Sequence, residues 1–293
     1  MPLSLVGVSY SYGAETGEVR ALSGLNLEVV RGEFVAVIGA TGSGKSTFAK
    51  LLNGLLVPCE GDVWVFGMNT RDDDCIQEIR ALVGMVFQNP DNQIVAGTVE
   101  EDVAFGPENL GLPSGEIRRR VEEALVAVGM DAHRNRAPHL LSGGQKQLVA
   151  VAGVLAMKPR CLVLDEPTAM LDPKATKEVL STVFGLCRQE GISVLHITHS
   201  MREASEADRI LVMDSGRLAM AGSPRDIFAR SGELRRLGLD VPPAVELADI
   251  LRGRGEPVPH DVITADHMVE YVCRQERIPV RRTDRHGCGC HPH

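Results

Sequence analysis

The 293-residue sequence carries no surplus of positive charge: 31 Lys and Arg stand against 39 Asp and Glu, a net charge of -8. A nucleic-acid backbone as main partner needs a concentrated basic face, so this balance argues against it. The one basic triplet, Arg118, Arg119 and Arg120, falls on a predicted helix and reads as a solvated face. Long hydrophobic runs are missing too. The longest, around residues 148–157, is too short to cross a bilayer. The opening M-P-L-S-L-V-G-V lacks the basic region and apolar core of a secretory signal. There is no cysteine framework: seven cysteines at irregular spacing fit reduced cytosolic thiols better than paired disulfides. What is present is 44% hydrophobic, ordinary for a soluble protein with a real core. The length suits one large α/β domain with a small appendage.

The chain is organised around residues 34–47, F-V-A-V-I-G-A-T-G-S-G-K-S-T. The first five are apolar and three of them β-branched, as in a strand buried on both faces. Residues 39–46 then fit G-x-x-x-x-G-K-[S/T], and a helical pattern of Phe48, Leu51 and Leu52 follows. Gly39, Gly42 and Gly44 let the backbone turn tightly and approach an anion. Free N–H groups at the helix start face that anion, and the helix dipole adds partial positive charge. The phosphate loop so formed comprises Gly39, Ala40, Thr41, Gly42, Ser43, Gly44, Lys45, Ser46 and Thr47. Lys45 falls on the β- and γ-phosphates of a nucleotide, and the Ser46 hydroxyl on Mg²⁺.

Before this loop, residues 3–12 and 25–30 read as strands, with a Gly-bearing loop at 13–17. Tyr12 has two readings, packing at a sheet edge or stacking on a purine base. Residues 61–67 and 83–87 give further strands, the second ending at Gln88. Thr98 and Glu101 form a capping box for a helix expected to be interrupted at Gly106-Pro107. Ile117, Val121, Leu125 and Val128 mark an apolar helical stripe. In L-S-G-G-Q-K-Q, residues 141–147, Ser142 is a helix cap with Gln145 three residues on, and Gly143 and Gly144 bare the backbone. Taken alone, this is either an ordinary capped helix or a second anion-binding device.

Residues 161–166, C-L-V-L-D-E, are an apolar strand ending in two carboxylates. Asp165 suits the second Mg²⁺ anchor beside a phosphate loop. Glu166 is placed to hold and deprotonate an attacking water. Asp172 caps a helix with Pro173 at its first position. A strand over 192–198 precedes His199, and His196 within it reads as packing rather than chemistry. A hairpin around Ser215-Gly216 closes this region.

Together these motifs resemble the ATP-binding subunit of ATP-binding-cassette (ABC) transporters, over about residues 3–228. Residues 39–46 resemble its Walker A loop, Gln88 its Q-loop, 141–147 its signature and 161–166 its Walker B strand. Asp172 falls in the D-loop, His199 at the switch histidine, and Tyr12 matches the adenine-stacking aromatic. Residues 86–113 and 237–248 are similar to the ATPases of energy-coupling factor (ECF) importers, which take up vitamins and transition-metal ions. The resemblance implies an α/β P-loop NTPase fold: a RecA-like core, an antiparallel β subdomain and an inserted helical subdomain at about 98–158. Residues 1–230 would form the ATPase domain and 231–277 a small helical dimerisation or docking domain.

The resemblance further implies ATP and Mg²⁺ as cofactors, with Glu166, His199 and Gln88 catalytic and Ser46, Gln88 and Asp165 around the metal. Tyr12, the phosphate loop, Ser142, Gly143, Gly144, Gln145 and Asp172 would contact nucleotide. The signature would serve a second ABC ATPase, a paralogue or self, packed head to tail. Other expected partners are a transmembrane coupling subunit, seated near residues 91–93, and a substrate-binding membrane subunit. No nucleic acid is expected, and the location implied is the cytoplasmic face of the cell membrane. Two positions depart from the family pattern: Leu148 stands where Arg is usual, and Ser200 where an acid is common.

Residues 230–275 carry two helical stripes, Ala244, Leu247, Ala248, Leu251 and Ala265, Met268, Val269, Val272, the second capped by Thr264. So few residues cannot bury a stable core alone. They read either as packing on their own ATPase domain or as a contact between two ATPases. Cys288, Cys290, His291 and His293 are metal-ligand types at close spacing, within a tail at 278–293 expected to be disordered. Other classes fit less well. A DNA-repair ABC protein would carry a long coiled coil, and a translation factor two cassettes. A phosphotransferase leaves the signature and the Asp165-Glu166 pair without a role.

Overall fold

A computed structural model describes residues 3–14 and 17–275. The cysteine and histidine cluster at 288–293 and the expected disordered tail lie outside the described residues. The elements run β1 (Leu3–Ala14), β2 (Gly17–Val29), β3 (Phe34–Gly39), α1 (Lys45–Leu52), β4 (Glu60–Val65), β5 (Met68–Asn69), α2 (Ile76–Leu82) and β6 (Val83–Val86). Next come α3 (Val99–Asn109), α4 (Ser114–Ala127), α5 (Gly143–Ala156), β7 (Cys161–Asp165), α6 (Pro173–Glu190), β8 (Ser193–Ile197) and α7 (Met201–Ala204). The chain continues with β9 (Arg209–Asp214), β10 (Arg217–Gly222), α8 (Pro224–Phe228), α9 (Ser231–Arg236), α10 (Pro243–Gly253) and α11 (Ala265–Gln275).

Two sheets divide the strands. One is four-stranded in the order β2-β1-β4-β5, and every pairing in it is antiparallel. The other runs β10-β9-β3-β8-β7-β6, parallel except for the β9–β10 hairpin. Every residue of β3, β6, β7 and β8 is buried, which is why these strands read as mainly apolar runs, with Asp165 ending β7 and Ser193 and His196 the polar residues of β8. One face of the parallel sheet shares an apolar cluster with the antiparallel sheet and α1, through Phe48, Leu51, Val35 and Val163. The other face packs on α5, α6 and the α3–α4 pair. Parallel order places the ends of β3, β7 and β8 side by side, and the residues expected to carry chemistry follow those ends.

Three expectations change. The loop at 13–17 is shorter than expected, because Gly13 and Ala14 already pair with Glu18 and Gly17 and β2 starts at Gly17. Its first four residues are exposed, so ladder hydrogen bonds hold a stretch that has no apolar alternation. Helix α3 is not interrupted at Gly106-Pro107 but runs through to Asn109. A proline so near the end removes one N–H, and Gly106 lies so close to α5 that a Cβ would meet Met157 Cγ at 2.8 Å. The backbone of α3 is thus packed directly against α5 at this point. Finally, residues 230–275 are less separate than expected. Leu234, Leu239, Val241, Val245 and Ile263 join the main apolar cluster, beside a satellite of Ala244, Ala248, Val258, Val262 and Met268. Leu247, Val269 and Val272 of the two stripes stay exposed.

Candidate active site

The phosphate loop links β3 to α1. Gly44 sits before α1 at φ +100°, with no side chain capping the helix and no acid in its first turn. A Cβ on Gly44 would meet Ala21 O at 2.6 Å, and one on Gly39 would meet Met213 O at 2.4 Å. Only glycine fits at either place, and the bare amides stay open to an anion. The Ser43 hydroxyl is buried without a hydrogen-bond partner. Lys45 Nζ donates to Gly39 O at 2.8 Å and to Ala40 O at 2.9 Å. Burial pushes its ammonium below the ordinary value, while Glu166 and Asp165 pull the other way.

Asp165, the last residue of β7, accepts from Ser46 Oγ at 3.1 Å. Burial raises its carboxyl above the ordinary range, the Ser46 bond opposes this, and neighbouring Glu166 adds to the rise. Glu166 turns out of the strand at φ +50° and is fixed by its backbone N–H on Ile197 O at 3.1 Å. Its two oxygens have separate partners: His199 Nε2 lies 2.6 Å from Oε1, and Gln88 Nε2 donates to Oε2 at 3.3 Å. Tyr12 is exposed, edge-on to Tyr10 at 4.9 Å, and its hydroxyl lies 3.2 Å from Thr47 Oγ1. Three strand ends and α1 thus bring Lys45, Ser46, Asp165, Glu166, Gln88 and His199 to one place.

The signature residues stand elsewhere. Ser142 Oγ accepts from the Gln145 N–H, and the Gln145 side chain accepts from the Ser142 N–H, a complete capping box. Gln145 also approaches His133 Nε2 at 3.4 Å. A Cβ on Gly144 would meet Ala175 at 2.9 Å, so α5 starts against the beginning of α6. Asp172 caps α6 through the N–H groups of Lys174 and Ala175. Among the described residues, none of the signature hydrogen bonds reaches the phosphate loop. Both departures from the family pattern have local reasons. Leu148 is buried in the main apolar cluster, and Ser200 caps α7 by accepting from the Glu203 N–H at 3.4 Å.

Residues 22–169 match the family model described as ABC transporter. Over 273 residues the chain is 59% identical to the energy-coupling factor transporter ATP-binding protein EcfA1 of Symbiobacterium thermophilum, covering 92% of this chain and 95% of that protein. The chain belongs to the ABC transporter family. More narrowly, this ABC ATPase is an ATP-binding subunit of the ECF kind. EcfA1 of Caldanaerobacter subterraneus is 53% identical over 269 residues, with 92% and 97% covered. Among solved structures, cbiO1 from Clostridium perfringens, part of the complex cbiONQ, gives a TM-score of 0.73 at 36% identity, covering 85% of this chain and 98% of that one. The dimeric MJ0796 cassette bound to ADP and Pi gives 0.69 at 32%, covering 76% and 98%.

Sequence reading missed several contacts that the ABC ATPase fold makes in this region. Lys146 pairs with Asp91 at 2.6 Å, and Gln93 Oε1 accepts from Phe87 N–H at 3.1 Å, so the stretch after Gln88 is stitched inward. Glu203 receives bonds from His196, Thr198 and Thr168. The Ser-x-x-Glu spacing at Ser200 and Glu203 signals a helix start, yet nothing in it signals a buried carboxylate.

Proposed function

We propose that this ABC ATPase works on the cytoplasmic face of the cell membrane, energising an importer for a vitamin or a transition-metal ion. Other chains would bind the cargo and span the membrane. The observation that carries the catalytic reading is the placement of Glu166, one oxygen on His199 and the other on Gln88, beside the Asp165–Ser46 pair. Glu166 holds the attacking water and takes its proton. His199 orients Glu166 and faces the γ-phosphate, and Gln88 reports what occupies the site. Lys45 leaves the carbonyls of Gly39 and Ala40 for the phosphates, and Tyr12 stacks on adenine. Ser46, Asp165 and Gln88 offer only oxygen donors to a cation, which suits Mg²⁺. Held there by Ser46, Asp165 and Gln88, Mg²⁺ would neutralise charge that develops on the phosphates.

Each chain then holds half of each catalytic site. Ser142, Gly143, Gly144 and Gln145, with Asp172, serve the nucleotide of a second ATPase packed head to tail, a paralogue or another copy. Residues 1–230 act as the ATPase domain, with the helical subdomain at 98–158, and 231–277 as a docking domain. The exposed Leu247, Ile250, Val269 and Val272 support a contact between two such domains.

A groove of about 430 Å³ between the core and α3–α5 suits a helix of the membrane coupling subunit. Leu55, Val95 and Phe105 line it and are exposed, while its Phe87 adjoins Gln88. A surface tied to nucleotide state is where a motor should grip its load. The tagged protein, expressed with its native neighbours, should sediment with membranes. It should co-purify in mild detergent with a multi-spanning protein, a small membrane protein and a second, related ATPase. Val95→Asp with Phe105→Asp should abolish that association while ATP hydrolysis persists. A protein without integral membrane partners, or a double variant that assembles normally, would overturn the importer reading.

A further inference from the structure

We infer that Glu203 is a positioning residue, a buried brace that holds the Glu166 turn and the His199 segment in register. The inference rests on the assignment of Glu166 and His199 made above. The Glu203 side chain is 10% exposed and accepts three side-chain bonds. Thr198 Oγ1 donates at 2.6 Å, His196 Nε2 stands at 2.8 Å, and Thr168 Oγ1 donates at 3.1 Å. Thr168 belongs to the turn that begins with Glu166, while Thr198 directly precedes His199. The 2.6 Å contact between Glu166 and His199 therefore has a second link beside it, running from Thr168 through Glu203 to Thr198.

A simpler role as a helix cap does not account for this carboxylate. A capping-box acid would accept from the backbone N–H of Ser200, but that N–H goes to Thr198 Oγ1 at 3.0 Å. His196 is fully buried and flanked by Phe34 and Phe184, and its Nδ1 has no partner. Its polar contact is thus spent on Glu203 alone. Stability alone does not call for such a network, since replacing all of its members together by apolar residues often serves as well or better. A buried carboxylate ringed by donors from two segments instead fixes their relative position. Glu166 needs that help, because its left-handed backbone must be held by its surroundings.

Steady-state ATP hydrolysis by the purified full-length protein tests the brace. Thr168→Val removes one donor to Glu203 and leaves those of His196 and Thr198. It should lower kcat by about tenfold to a hundredfold, the usual consequence of misplacing a reacting group, with KM within about threefold of wild type. Thr168→Ser restores the donor and should restore kcat. Glu203→Gln should resemble Thr168→Val; if it fails to fold, the Thr168 pair carries the test. Combined with Glu166→Gln, Thr168→Val should cost less than about twofold further, since both act on one group. Normal kcat in Thr168→Val, no rescue by Thr168→Ser, or a full multiplicative loss in the double variant would sink the brace alone. Near-normal turnover in Glu166→Gln would bring down the site assignment itself, and the brace with it.

Discussion

At the scale of single residues, the proposed chemistry centres on Glu166. Its φ of +50° is uncommon for a side chain of this size, and the backbone bond to Ile197 O and the contact with His199 hold it there. Glu166→Gln keeps the shape and removes the proposed base. Nucleotide binding should persist while hydrolysis falls by about two to four orders of magnitude, and ATP should then trap a stable dimer on gel filtration. Glu203 supplies a pH-dependent readout. Burial raises its carboxyl, but bonds from His196, Thr198 and Thr168 outweigh this and hold it below the ordinary value. Its contribution to stability is therefore complete above the ordinary Glu pKa of about 4.3, and is lost as pH falls through the lower folded-state value. Glu203→Gln should melt earlier than wild type at pH 7, and the difference should narrow below about pH 4.

At the scale of elements, the helices between β6 and β7 show how much a periodic stripe can and cannot say. Ile117, Val121, Leu125 and Val128 lie at helical spacing, yet Leu125 is wholly buried while Ile117 is partly exposed at the first turn of α4. Leu125→Ala should cost about 2–5 kcal/mol, the range for large-to-small changes in a packed core. Ile117→Ala should cost clearly less, and urea denaturation of the two variants would separate them. The basic triplet on α4 has a similar lesson. Arg119 and Arg120 share Glu116, and Arg120 also reaches Met157 O at 3.3 Å. Local carboxylates and a helix end occupy these cations, which adds a structural use to a face expected to be merely solvated.

At the scale of the whole molecule, the site at the strand ends and the signature at the start of α5 belong to different nucleotides in the proposed dimer. Mixing a Ser142→Arg chain with a Lys45→Ala chain should form one intact composite site and one doubly damaged site. ATPase activity of the mixture should exceed that of either variant alone. Demonstrated heterodimers without recovery would count against the shared arrangement. The C-terminal helices fit the same picture, since Val245 and Ile263 root them in the core while Leu247 and Val272 remain on the surface.

The amino-acid order alone determined whatever depends on neighbours along the chain. The phosphate loop, the capping boxes at Thr98 and Ser142 and the proline after Asp172 are local devices, each complete within a few residues. Buried parallel strands announce themselves for the same reason, since both faces must be apolar. Tertiary structure decided what depends on residues far apart in sequence. That α3 runs through Pro107 follows from its packing against α5, and that β2 begins at Gly17 follows from pairing with β1. The 119 positions from Ser46 to Asp165, and the 35 from Thr168 to Glu203, are closed only when β3, β7 and β8 align. Hydrogen bonds of that kind leave no periodicity in the sequence, because neither partner's neighbours need to change for the bond to form.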